Sequence, residues 1–189
     1  MKIAAVDFET TSLRALMGRI LCGSILPIAN VDPRNLKTKP KPYCLRGDRA
    51  PFKNMDDTTD DVALCEALRD EIHQYNMIVT WNGKLFDIPF LNARLAKAGK
   101  PLCQPQMHLD LMYFAGGVSL RVGSRKLVNV QKFLGLEESK TDISWEQWQR
   151  AASLNHAAMN EVVYHCNQDV EVLAQAYHRM IGVVRNIHR

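Results

Sequence analysis

The sequence predicts an α/β fold, a mixed central sheet of about five strands flanked by helices, with a helical C-terminal part. Three observations lead there. Apolar runs of strand length alternate with longer amphipathic segments, in the order βββαβαβ. Beyond Gly117 the patterned segments are all helical. The 189 residues, 47% of them hydrophobic, suit one sizeable core, so 1–189 is expected to be a single domain.

The elements follow in order. KIAAVDF (2–8) and RILCGSILPI (19–28) are two adjacent early strands, and YCL (43–45) is a candidate third after a basic, proline-punctuated stretch. DDTTDD (56–61) offers caps and first-turn acids for a helix running to about Tyr75. MIVTWNG is an apolar strand ending in Asn-Gly, FDIPFLNARLAKAG a helix closed by Gly99, and MHLDLMYFA another strand candidate. VNVQKFLGL, WEQWQRAAS and the long segment from about His156 complete the chain as helices, with no repeat or low-complexity tract.

Composition narrows the class. Twenty-four Lys and Arg against twenty Asp and Glu give a net +4, which permits a polyanionic partner but is far from a histone-like balance. Cysteines 22, 44, 65, 103 and 166 are odd in number and never form CxxC, so neither a disulfide framework nor a structural zinc site is indicated. An acidic N-terminus and the absence of any run of eighteen uncharged apolar residues lead to the expectation of an intracellular, cytoplasmic protein without a membrane partner.

The acids carry the chemistry. Alternation puts Asp7 and Glu9 on one face of the first strand. Asp87, before Ile88 and Pro89, stands where a helix N-cap belongs, at the sheet edge where that strand ends. Asp169 lies inside the apolar stripe formed by Val162, Cys166, Val170, Leu173 and Tyr177 on the last helix. A buried unpaired carboxylate costs several kcal/mol, so Asp169 needs a partner or a proton. Divalent cations supply one: Mg²⁺ or Mn²⁺ takes oxygen ligands, and three or four carboxylates can hold two ions about 4 Å apart for in-line displacement at phosphorus.

VDFETT, WNGKLFDIPFL and HCNQDVEVL resemble, in order and spacing, the three motifs of DEDD-type 3′-to-5′ exonucleases of the ribonuclease H-like fold. The resemblance runs from Met1 to about Tyr177. HLDLMYF and LVNVQKFLGL also look like this superfamily, particularly the proofreading-type domains related to family B DNA polymerases. It implies hydrolysis of a phosphodiester from a 3′ end, with Asp7, Glu9 and Asp169 as metal ligands and Asp87 serving the second ion directly or through water. It also implies contacts to the terminal nucleotide from Asn82 and Phe86, although Phe86 could equally pack on Phe90.

The family places a Tyr four residues before the last Asp, or a His five before it. Here the types are interchanged: His165 stands at the four-residue position and Tyr164 at the five-residue one. On a helix, four residues back is about 40° away and five back about 140°, so His165 is the candidate to assist the attacking water.

Other signals carry simpler readings. Lys37, Lys39, Lys41, Arg46, Arg49 and Lys53, with Arg121, Arg125 and Lys126, are candidates to track a phosphate backbone or to be solvated loop charges. Asp110, with His108 on its face, reads as structural, and Trp145 and Trp148 as packing for the helical tail. The expected function is a divalent-metal-dependent exonuclease acting on the 3′ end of single-stranded DNA or RNA, DNA slightly favoured, with a separately encoded polymerase as a conceivable partner. The alternatives are a catalytically weak or inactive binding module of the same fold and a structure-specific endonuclease.

Overall fold

The computed structural model describes residues 1–28, 40–117, 119–136 and 143–184. Five strands form one mixed sheet: β1 (Ile3–Thr10), β2 (Ile20–Ile28), β3 (Tyr43–Arg46), β4 (Met77–Thr80) and β5 (His108–Asp110). Their order is β3-β2-β1-β4-β5. β1 pairs antiparallel with β2 and parallel with β4, which in turn pairs parallel with β5. The six helices are α1 (Val62–Ile72), α2 (Asp87–Lys97), α3 (Leu111–Gly116), α4 (Leu127–Leu134), α5 (Trp145–Ala152) and α6 (His156–Met180).

Alternation along β1 divides the core. Ala4, Val6 and Phe8 face α1 and α2, packing with Leu64, Leu68, Leu91 and Leu95. Ile3 and Ala5 face the other way, toward Val170, Leu173 and Tyr177 of α6. Asp7 and Glu9 continue that second row, so the strand that builds the α6 face of the core delivers its two acids to the same helix. β1 pairs with β4 only through Ile3, Ala4 and Ala5, and its last residues run on beyond β4. The gap left there is where the chain from Trp81 to Asp87 enters.

Three local expectations change. The helix after DDTTDD has no acid in its first turn. Asp60 Oδ1 accepts the Val62 amide at 2.9 Å, whereas Asp61 turns inward to Arg94. MHLDLMYFA is strand for three residues only, because Asp110 caps a helix that takes over at Leu111. Trp145 is exposed, whereas Trp148 packs inward and donates its indole N–H to the Thr10 carbonyl at 3.2 Å. The capping box of Ser144 and Gln147 orients α5 so that only the second tryptophan faces the core.

Candidate active site

Each acid is positioned by a different element. Asp7 and Glu9 lie on β1, paired across to Ser24 and Cys22 of β2. Asp169 lies midway along α6, half-buried rather than fully enclosed, and its helix packs over β1 and β2. Asp87 is the first residue of α2 and makes no side-chain cap; its carboxylate turns to the sheet. Oδ1 accepts the Phe8 amide at 3.0 Å, satisfying a donor that β4 does not reach. The capping expectation for Asp87 is thus corrected, and the reason is that an orphaned buried strand amide competes better for the carboxylate than the helix's own first turn.

The electrostatics are those of crowded like charges. Burial, then Asp87, Glu9 and Asp169, hold the Asp7 carboxyl well above the usual carboxylate range. Burial, then Asp169 and Asp87, do the same for Glu9. Burial pushes Asp87 up to about 7 against the opposing Phe8 amide. Asp169 is raised by burial and eased by His165. Four carboxyls, all shifted upward, lack a compensating cation and match an all-oxygen donor set suited to a hard divalent ion.

His165 faces this group. Its Nε2 lies 3.6 Å from Asp169 Oδ2 and 3.9 Å from Glu9 Oε1, and the three side chains converge closely enough to share one small ligand. These separations exceed direct hydrogen bonds and leave the imidazole able to hold a water. Tyr164 is exposed on the adjacent helix face. A second convergence joins Asp7 and Glu9 to Cys166, whose thiol donates to the Asp7 carbonyl at 3.4 Å. Asp87 belongs to neither trio and stands behind them.

Asn82 and Phe86 sit in the turn leading to Asp87. Asn82 adopts φ 67°, a left-handed conformation that asparagine tolerates, and its carbonyl accepts the amides of Leu85 and Phe86. Phe86 packs on Phe90 with ring centroids 5.7 Å apart, the core role. Asp110 holds this turn from beneath: it accepts the amides of Asn82 at 2.9 Å, Lys84 at 3.0 Å and Met112 at 3.1 Å. His108 bonds Thr80 Oγ1 at 2.8 Å, and burial lowers its pKa to about 4. Asp110→Ala would leave three amides without their acceptor; we expect a loss of at least about 2 kcal/mol in chemical denaturation. The turn that carries Asp87 should also show faster hydrogen exchange at Asn82 and Lys84.

The basic residues near the site are partly committed elsewhere. Arg46 makes a bidentate pair with buried Asp48, its Nε 2.6 Å from Oδ1, and also donates to Asn160. Arg49 contacts His156. The RGD tripeptide is therefore an internal brace to the start of α6. Lys37 and Lys39 lie outside the described residues. The convergence of Cys22, Cys44 and Cys166 at the site was missed from the sequence; only the pairing of Glu9 with Cys22 and of Ser24 with Cys44 reveals it.

Comparisons with known proteins agree with this architecture. Residues 43–181 match the family described as the RNase H superfamily. A solved structure of the family B DNA polymerase from the hyperthermophilic archaeon Pyrobaculum calidifontis superposes with a TM-score of 0.67 at 13% identity. That match covers 95% of this chain and 24% of the polymerase, so the chain spans about a quarter of that protein's length. No curated protein matches the chain in sequence. Among the described residues no helix is long and apolar enough to cross a membrane. With most of its length matched by the family and its sheet, helices and acids arranged accordingly, the chain belongs to the RNase H superfamily.

Proposed function

We propose that the protein is a divalent-metal-dependent 3′-to-5′ exonuclease on single-stranded nucleic acid, DNA slightly favoured over RNA. The observation that carries this reading is the meeting of Asp7, Glu9 and Asp169 from β1 and α6, with Asp87 behind them, all four carboxyls raised by burial and by one another. Superfamily membership and the polymerase likeness support nuclease chemistry on a nucleic-acid substrate. A separately encoded polymerase as partner belongs to the same reading.

Asp7, Glu9 and Asp169 would hold two Mg²⁺ or Mn²⁺ ions, with Asp87 serving the second directly or through water. When bound, such ions acidify a water and stabilise charge developing at phosphorus and at the leaving 3′ oxygen. The chain's own groups do the rest. His165 Nε2 is placed to orient the attacking water and take its proton, with Asp169 and Glu9 holding the imidazole from two sides. Asp87, through the Phe8 amide, keeps the end of β1 in register with the start of α2, so the acids from both elements hold their spacing. The Asn82 turn and Phe86 present the wall against which a terminal base would lie.

Incubating 5′-labelled single-stranded DNA and RNA with Mg²⁺ or Mn²⁺ tests the reading. A ladder shortening by single nucleotides from the 3′ end is expected; no degradation with either ion would overturn it, and cleavage of a circular single strand would mean an endonuclease instead. His165→Ala is expected to lower turnover by about 10²-fold or more, the scale of a lost acid–base group, while Tyr164→Phe stays near wild type. The reverse order in single-turnover rates would move the water-assisting role to Tyr164.

A further inference from the structure

Three of the five cysteines meet on the face of the sheet that carries the acids. Cys22 on β2 pairs across with Glu9, and Cys44 on β3 pairs across with Ser24, itself opposite Asp7. Paired residues share a face, so Glu9, Asp7, Cys22 and Cys44 all project toward α6. From α6, Cys166 comes down among them. Its Sγ lies 3.4 Å from the Asp7 carbonyl and 3.7 Å from Asp7 Oδ2. The three thiols hydrogen-bond with one another, and Cys44 also with Ser24. Cys22 and Cys166 are fully buried, while Cys44, on the edge strand, is half-buried and gives access from solvent.

Thiols grouped in this way and touching a carboxylate oxygen make a different donor set from the acids alone. Sulfur selects borderline and soft cations, where carboxylate oxygens select Mg²⁺ and Mn²⁺. We infer that Cys22, Cys44 and Cys166, with Asp7, form a site for a thiophilic divalent cation of the Zn²⁺ or Cd²⁺ class. Each thiol that binds releases its proton to water, leaving thiolate–metal bonds. The consequence rests on the exonuclease reading: a cation held there draws Asp7 to itself and withdraws it from the Mg²⁺ or Mn²⁺ centre, so thiophilic ions inhibit cleavage. Cys65 and Cys103 pack in the separate core beneath α1 and α2 and take no part.

Titration of the reduced full-length chain with Cd²⁺, followed by near-ultraviolet thiolate-to-metal charge-transfer absorption, tests this without nucleic acid. The wild type is expected to develop the band to a one-to-one endpoint in excess Mg²⁺. Cys166→Ala should lose most of it, and Cys44→Ala, on the edge strand, provides a second test if the first variant does not fold. A Cys65→Ala/Cys103→Ala variant should keep the full band. No band in the wild type, a band undiminished in the folded cluster variants, or one lost with Cys65 and Cys103 would overturn the site. In cleavage assays, the Zn²⁺ concentration that halves Mn²⁺-supported activity should rise at least about tenfold in Cys44→Ala, the scale of losing a metal-supporting partner. A band without any cleavage under Mg²⁺ or Mn²⁺ would leave the cation site standing and overturn the exonuclease reading alone. Cleavage without a band would do the opposite.

Discussion

Asp7→Asn is expected to lower metal-dependent cleavage at least about 10³-fold, beyond the loss that follows removal of one transition-state hydrogen-bond donor, and at the same time to stabilise the metal-free protein. Both effects come from one cause. Asp7 stands among Asp87, Glu9 and Asp169, and burial together with these neighbours raises its pKa well above the ordinary range. An amide at this position removes the repulsion and one oxygen anion that the ions require. Thermal unfolding with and without Mn²⁺ separates the two: the wild type should gain Tm on adding Mn²⁺, whereas Asp7→Asn should start higher and gain little. An equal gain in both would mean that Asp7 holds no ion.

The same crowding sets a pH dependence. Asp87 is pushed up to about 7, and Asp7, Glu9 and Asp169 move in the same direction. The folded chain therefore keeps protons that the unfolded chain has released, and stability falls as pH rises. The contribution is complete below the ordinary carboxylate pKa near ~4 and is lost as pH climbs through about 7. Metal-free Tm should decline between about pH 5 and pH 8, and Mn²⁺ should flatten that decline by replacing protons with cations. A metal-free Tm that rises over this interval would contradict the placement of the acids.

The second large effect is expected far from the chemistry. Arg94 on α2 and Asp61 before α1 form an ion pair of 2.7 Å with side-chain exposures of 8% and 2%. Asp61 Oδ2 also accepts the Ile20 amide at 2.8 Å, tying both helices to the start of β2. Arg94→Leu leaves a buried carboxylate without its cation and should cost about 3–5 kcal/mol in urea unfolding. The double variant Arg94→Leu/Asp61→Asn removes the charge and keeps an acceptor for Ile20, so most of the loss should return. If the double variant is as unstable as the single one, packing around the guanidinium, not charge burial, is what matters there.

Legibility in the sequence depended on the range of the interaction. Strand and helix order followed from periodicity, and Asp7, Glu9 and Asp169 from a carboxylate pair on one strand face and a charge within an apolar stripe. Helix geometry alone chose His165 over Tyr164, and the side chains fall on those two faces. Short-range chemistry misled where a distant donor competed. Asp87 looked like a cap and instead serves Phe8, and Asp61 looked like a first-turn acid and instead serves Arg94 and Ile20. The two tryptophans, three residues apart on one short helix, part company because only one faces the core.

By itself the sequence determined the α/β class, the order βββαβαβ, the face of β1 that carries acids and the face of α6 that meets them, because these depend on periods of two and 3.6 residues within single segments. Only the tertiary structure decided that β1 outruns β4, that the amide exposed there claims Asp87, and that three cysteines from β2, β3 and α6 gather beside Asp7. Those facts depend on strand register and on how one helix lies across the sheet, and residues as much as 159 positions apart come into contact through them. No local period encodes such a meeting.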